Sequence, residues 1–380
     1  MIESGGIEGG GVSIGGSGMN GFVPPPYPYE RLGAVTALAA RHPGGAIDLS
    51  IGTPCDPAPD EVVAALAAGD AYRGYPPSIG SAAFRAAAAE WFARRLGVAV
   101  DPATELAACV GTKEFVASAP QYLKLRDPSR DTVLYPEISY PTYEMGAILA
   151  GCRAVPYRDL AEVSDDDARR ALCVWVNSPA NPTGELVDLA AVASWGRAHG
   201  VPVLADECYV EYTWDGPPAT ILRDGPQGVL ALHSLSKRDN FAGARIGFYA
   251  GDADLVGYLR EVRKHAGLMP PGPVQQAAVI ALADDEHVRR QRERYLRRLR
   301  RLVDIAGAVG LRAELPAGTF YLWVPAPDGD AWGAARELAE RAGIVVSPGE
   351  FYGAPASGFV RIAAVATDER IELAAARVGA

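Results

Sequence analysis

Between about residue 60 and residue 265 the chain alternates helical patterns with short, apolar, β-rich runs: AACV from residue 107, TVLY from 132, RAVPY from 153, LCVWVN from 172, VPVLAD from 201, VLALHS from 229 and RIGFYA from 245. A strand with one wet face alternates apolar and polar residues, so runs that are apolar on both faces need cover on both. With helices between them, they make a mostly parallel sheet packed between helices, an α/β fold. In open sheets of this kind ligands bind where the carboxyl ends of strands meet loops, so the polar residues just after each run are the ones to inspect.

The flanks read differently. Residues 1–21, with eight glycines in the first twenty, have the composition of a flexible tail, and Met19 is a candidate alternative start. FVPPPYPYERL follows as an extended arm, then a short helical pattern ending at His42-Pro43-Gly44-Gly45. From Asp284 a segment carries eight arginines between Arg289 and Arg301, and Val288, Leu299, Leu302, Val303 and Ile305 give it an apolar component. It is expected to be an amphipathic helix with a solvated face. Beyond it the pattern reads strand, strand, helix, strand, strand, helix, through GTFYLWV, IVVS and FVRIAA, a smaller α+β domain. The expected division is a tail at 1–21, an arm at 22–50 packing with the small domain, a large domain at 51–284 and a small domain at 285–380.

Composition narrows the function. Lys plus Arg total 36 against 46 Asp plus Glu, a net charge of −10, and such a surface repels phosphate backbones, so no nucleic acid partner is expected. No apolar run is long enough for a bilayer, and residues 1–30 lack the basic start of a secretory leader. The five cysteines, Cys55, Cys109, Cys152, Cys173 and Cys208, are odd in number and form no C-x-x-C pair, which suits a reducing cytoplasm. His42, His199, His233, His265 and His287 have no H-E-x-x-H spacing and no Cys/His cluster, so no metal is expected.

The chemistry concentrates in HSLSKRDNFAGARIG, where Lys237 stands just past an apolar run with Ser234, Ser236 and Arg245 around it. Such a lysine can form a Schiff base with an aldehyde cofactor, while two hydroxyls and a guanidinium can hold a phosphate. Each piece alone is commonplace, since a loop lysine is usually solvated. Upstream, VPVLADECYVEY ends a strongly apolar run at Asp206 with Tyr209 three residues on, and a carboxylate buried there needs a cationic partner or serves as a turn cap. NSPANPTG turns sharply after LCVWV and projects the amide of Asn181, which can equally be plain turn chemistry.

Taken together these segments resemble the class I aminotransferases of the type I fold, whose signature reads [GS]-hydrophobic-[GSTA]-K, a glycine-bearing spacer, then R-[LIVMA]-[GA]. Ser234 through Gly247 fits every specified position, and N-P-T-G, D-x-x-Y, S-x-S-K, R and a late hydrophobic-R keep their order from about residue 30 to the C-terminus. The resemblance implies a pyridoxal 5′-phosphate enzyme of large and small domains, acting on small amino and keto acids as a homodimer. It makes Lys237 the lysine that holds the cofactor and moves the proton, Asp206 the partner of the pyridine nitrogen, and Tyr209 and Asn181 the partners of its phenolic oxygen. Ser234, Ser236, Arg245 and the backbone at Thr112 and Lys113 would grip the phosphate, with Tyr140 stacking on the ring. Arg361 and Gly52 would receive the substrate α-carboxylate, joined there by Asn181, and Tyr75 would reach the phosphate in a neighbouring subunit. A non-catalytic regulator on the same fold needs an appended DNA-binding domain, for which residues 1–21 are too short and featureless.

Within that family GTKEFVA, SYPTYEMGA, NSPANPTG, DECYVE, HSLSKR, VRKHAGLMPPGPVQ, PGEFYG and VRIAAVATDE look like the bacterial N-succinyldiaminopimelate aminotransferases of lysine biosynthesis. Such an enzyme exchanges an amino group between glutamate and N-succinyl-2-amino-6-oxopimelate; transfer to another amino acid in specialised metabolism is the alternative. Thr112 stands where Ser is expected, and Ala244 where a bulkier residue is. A distal carboxylate on the substrate calls for a cation, with Lys113, Arg263 and Lys264 as candidates; Lys264 and His265 can equally be helix C-terminal residues.

Overall fold

A computed structural model describes residues 22–380, and the glycine-rich stretch 1–21 lies outside the described residues. All seven apolar runs become strands of one sheet: β1 (Leu106–Cys109), β2 (Thr132–Pro136), β3 (Arg153–Tyr157), β4 (Ala171–Asn177), β5 (Val203–Asp206), β6 (Val229–Ser234) and β7 (Gly247–Gly251). Their spatial order is β1-β7-β6-β5-β4-β2-β3. The pairs β3-β2, β2-β4, β4-β5 and β5-β6 are parallel. Only β7 runs against its neighbours, because residues 235–246 turn the chain back beside β6 instead of carrying it across the sheet.

The two-faced apolar pattern has the expected cause. Along β6, Val229 and Ala231 enter one core cluster while Leu230 and Leu232 enter another on the opposite face. β3 departs from the pattern: it lies at the sheet edge with Arg153 and Pro156 exposed, a place where a missing N–H is tolerated.

After residue 308 the structure differs from the sequence expectation. One strand, β8 (Tyr321–Pro325), precedes the helix Ala331–Arg341; the IVVS run then breaks at Val346 into the short strand Ile344–Val345 and β9 (Ser347–Pro348), followed by β10 (Phe359–Ala363) and the helix Asp368–Val378. Residues 311–317 lie outside any strand, and Ala317 O accepts from Trp214 N and Asp215 N at 2.8 and 3.1 Å. β8, β9 and β10 make an antiparallel sheet in the order β9-β10-β8. Ile47–Asp48 of the arm pairs in parallel with Ile344–Val345, and Leu32, Val35, Ala39 and Leu49 join the core beneath these C-terminal strands.

The arginine-rich segment is the helix Glu286–Ala308. Val288, Leu299, Leu302 and Ile305 are buried as expected, Val303 is only half-buried, and Tyr295 and Arg298 go inside as well. Arg298 is admitted because its charge is met on two sides, by Asp56 at 2.7 and 2.9 Å and by Asp368 at 2.5 Å. Among the described residues no helix is long and apolar enough to cross a membrane.

Candidate active site

The three central parallel strands end side by side on polar residues. Asn177 closes β4, Asp206 closes β5 in register with it, and Ser234 closes β6. Asp206 is buried, and both of its oxygens are occupied: Oδ2 accepts from the Tyr143 hydroxyl at 2.9 Å and Oδ1 from Cys208 N at 3.1 Å. Tyr143 is itself fixed by stacking on Trp175, with centroids 5.2 Å apart and planes at 24°. Asn177 organises the N-P-T-G turn: its amide nitrogen donates to Asp206 O at 2.7 Å and to Pro179 O at 3.2 Å, and its oxygen accepts from Asn181 N at 2.7 Å.

Lys237 sits in a four-residue helix, Leu235–Arg238, that starts at the end of β6. The Ser234 hydroxyl caps it by accepting from Ser236 N at 3.1 Å, and the Tyr212 hydroxyl donates to the Lys237 carbonyl at 2.7 Å. The Lys237 ammonium donates to the carbonyl of Gly52. Burial, reinforced by the nearby Arg361 and Arg245 charges, lowers its pKa to about 8.

Arg245 lies just before β7 with φ +56°, a left-handed conformation uncommon for a residue with a Cβ. Its Nη1 donates to Ala242 O at 2.9 Å. Its guanidinium rests on Gly111, φ +78°, where any Cβ would overlap it. Gly111 in turn caps α1 (Thr112–Arg126), so a helix N-terminus and a guanidinium converge on one spot.

Arg361, on β10, is almost completely buried, and its Nη1 donates to Asn181 Oδ1 at 2.8 Å and its Nη2 to Ser50 O at 2.6 Å. Its Nε has no hydrogen-bond partner among the described residues. Neither Arg245 nor Arg361 has a carboxylate partner among the described residues, so Arg361 is a buried charge and Arg245 a solvent-exposed one, both open to an anion. Tyr209 and Tyr143 are pushed well above the usual phenol range by burial and stay protonated donors.

A cavity of about 410 Å³ collects these groups. Gly52, Thr112, Lys113, Tyr140, Asn181, Asp206, Tyr209, Ser234, Ser236, Lys237, Arg245 and Arg361 all line it. Tyr75 does not, being 96% exposed on the surface. The cavity also holds residues the sequence reading passed over: Tyr27, Tyr29, Tyr143, Asn177, Cys208 and Tyr321. Tyr27 and Tyr29 looked like part of a proline-rich lead-in, and Tyr321 like core in an apolar run. Of the cations weighed for a distal carboxylate, Lys113 faces the cavity, with its ammonium 5.3 Å from the Tyr27 ring centroid and 6.0 Å from that of Tyr140. Arg263 is buried against Glu114 at 2.6 Å, and Lys264 is exposed outside the cavity.

This donor set fits pyridoxal phosphate: an amine weakened enough to react with an aldehyde, a carboxylate at a strand end, and an anion site built from hydroxyls, a guanidinium and a helix N-terminus. Comparison with known proteins agrees. The sequence model for aminotransferase class I and II matches residues 45–378. The chain is 44% identical over 362 residues to 4-dedimethylamino-4-oxo-anhydrotetracycline transaminase OxyQ of Streptomyces rimosus, covering 93% of this chain and 99% of that protein. It is 36% identical over 360 residues to LL-diaminopimelate aminotransferase of Desulforudis audaxviator, covering 89% and 91%. The structure of a probable N-succinyldiaminopimelate aminotransferase from Thermus thermophilus superposes with a TM-score of 0.81 at 32% identity, covering 92% of this chain and 98% of that one. The chain thus belongs to the class I and II aminotransferases, and is a pyridoxal-phosphate-dependent transaminase of the type I fold.

Proposed function

We propose that this aminotransferase exchanges an amino group between glutamate and N-succinyl-2-amino-6-oxopimelate, a step toward diaminopimelate and lysine. The observation that carries the reading is the meeting, in one cavity, of a weakened lysine amine with Arg245 and Arg361, two guanidiniums with no carboxylate partner among the described residues. The likeness to the Thermus thermophilus structure supports the substrate class.

Bound here, pyridoxal phosphate supplies an aldehyde for the amine and a ring that withdraws electrons from the carbon bearing it. Asp206, oriented by Tyr143, would hold the pyridine nitrogen in its protonated form. Ser234, Ser236, Arg245 and the amides of Thr112 and Lys113 would hold the phosphate, and Tyr140 would stack on the ring. Tyr209 and Asn181 would donate to the phenolic oxygen. Arg361 takes the substrate α-carboxylate through its planar fork, which lysine lacks, beside the open backbone of Gly52. Lys237 Nζ, a usable base at neutral pH, removes the proton from the substrate α-carbon. Lys113 reads the distal carboxylate.

In this reading residues 51–284 form the large domain and 285–380 the small one, with the arm 22–50 packed on the latter. The exposed Tyr75 reaches the phosphate of a second copy, making a cytoplasmic homodimer. The test is a panel of keto acids offered to the glutamate-reduced enzyme: fastest turnover with N-succinyl-2-amino-6-oxopimelate supports the reading, and no turnover with it refutes the substrate.

The 44% identity to OxyQ favours a second reading, amino transfer to a ketone of the oxo-anhydrotetracycline kind in specialised metabolism. The same panel separates the two.

A further inference from the structure

Tyr321 opens β8 and is buried, and its surroundings are unusually determined. Two residues earlier Thr319, fully buried, holds φ +69°, which is strained for a β-branched residue. Its hydroxyl accepts from Tyr321 N at 3.2 Å, and its carbonyl accepts from Trp214 Nε1 at 2.6 Å, so the entry into the strand is pinned. The far end of the ring is equally confined, because the Tyr321 hydroxyl occupies the space that a Cβ on Gly52 would fill.

That placement puts two contacts on one side chain. The Tyr321 hydroxyl lies 2.7 Å from the Tyr209 hydroxyl. The Tyr321 ring lies under Arg361, with the guanidinium carbon 4.1 Å from the centroid, a cation–π contact between adjacent strands. Tyr209 has one proton to give. When it gives that proton to a ligand oxygen, the 2.7 Å contact requires Tyr321 to donate to Tyr209, and a donor behind a donor strengthens it.

We propose that Tyr321 is a positioning residue that joins the carboxylate-reading arginine to the tyrosine on the cofactor's phenolic oxygen, its ring seating Arg361 and its hydroxyl sharpening the donation by Tyr209. The inference rests on the reading of Tyr209 and Arg361 given above. Donation to the phenolic oxygen stabilises its anion, so weakening that donation raises the pH at which the visible absorption of the loaded enzyme changes.

The test compares Tyr321→Phe, Tyr321→Leu and Tyr209→Phe with the wild type, each loaded with pyridoxal phosphate and titrated by absorption, with the Kd for the unreactive dicarboxylate maleate measured alongside. Tyr321→Phe is expected to raise the absorption midpoint by roughly half a pH unit, less than Tyr209→Phe does, with maleate affinity within about twofold of wild type. Tyr321→Leu is expected to show the same rise and a roughly tenfold weaker maleate complex, because the ring under Arg361 is gone. A wild-type midpoint in Tyr321→Phe, with or without a lowered melting temperature, overturns the inference while a shifted Tyr209→Phe leaves the Tyr209 reading intact. If Tyr209→Phe does not shift either, that reading fails and the inference with it.

Discussion

Arg361 Nη1 donates to Asn181 Oδ1 at 2.8 Å, a bond that ties the turn after β4 to a strand 180 residues later. A late strand of the small sheet and a turn of the large one therefore make a single wall of the cavity. Arg361→Lys keeps the charge and loses the fork. Losing one or two charge-assisted hydrogen bonds in a shielded site costs about 2–3 kcal/mol, so KM for amino donors is expected to rise roughly 30- to 150-fold, with kcat less affected. Steady-state kinetics with glutamate checks this; an unchanged KM removes Arg361 from the α-carboxylate.

Lys237 governs cofactor capture. Only its neutral amine attacks an aldehyde, and its pKa is about 8. The rate at which cofactor-free protein takes up pyridoxal phosphate should therefore fall about tenfold per pH unit below that value and level off above it. Stopped-flow absorbance between mildly acidic and alkaline pH gives the midpoint; one near the ordinary lysine value of about 10.4 would show that burial is not lowering it.

Lys113 and Arg263 separate by substitution. Lys113→Met should raise KM for glutamate about tenfold and spare donors with an uncharged side chain, because of Lys113, Arg263 and Lys264 it is the Lys113 ammonium that faces the cavity, beside Tyr140. Arg263→Met leaves the half-buried Glu114 without its cation and should cost about 1–3 kcal/mol of stability, with KM little changed in the folded enzyme. Thermal melts and kinetics on both variants decide; the reverse pattern would make Arg263 the substrate reader.

Gly111→Ala forces a Cβ into the Arg245 guanidinium at a position with φ +78°. Both the conformation and the overlap displace the anion site, so affinity for pyridoxal phosphate is expected to drop at least about tenfold. Fluorescence titration of cofactor-free protein measures it, and a wild-type Kd would place the phosphate elsewhere.

Much of this site was legible because backbone direction concentrates chemistry at strand ends. Asp206 and Ser234 terminate apolar runs visible in the sequence, and Lys237 and Arg245 follow the last of them. What stayed hidden depends on partners remote in the chain. Tyr143 reads as a helix residue until Asp206 meets it, and Tyr321 as core until Tyr209 does. Nothing local marks β7 as antiparallel, since strand direction is set by how 235–246 folds back. Arg298 looked solvated with its neighbours because its burial rests on Asp56, far upstream.

The most direct measurement is the absorption spectrum of the purified protein loaded with pyridoxal phosphate, before glutamate, after glutamate, and after a keto acid, alongside Lys237→Ala. The expected result is a visible band from the protein-bound cofactor that glutamate abolishes and the keto acid restores, with neither change in Lys237→Ala. Failure of the wild type to bind the cofactor, or a full glutamate response in Lys237→Ala, would contradict the assignment of Lys237 as the residue that holds the cofactor and moves the proton.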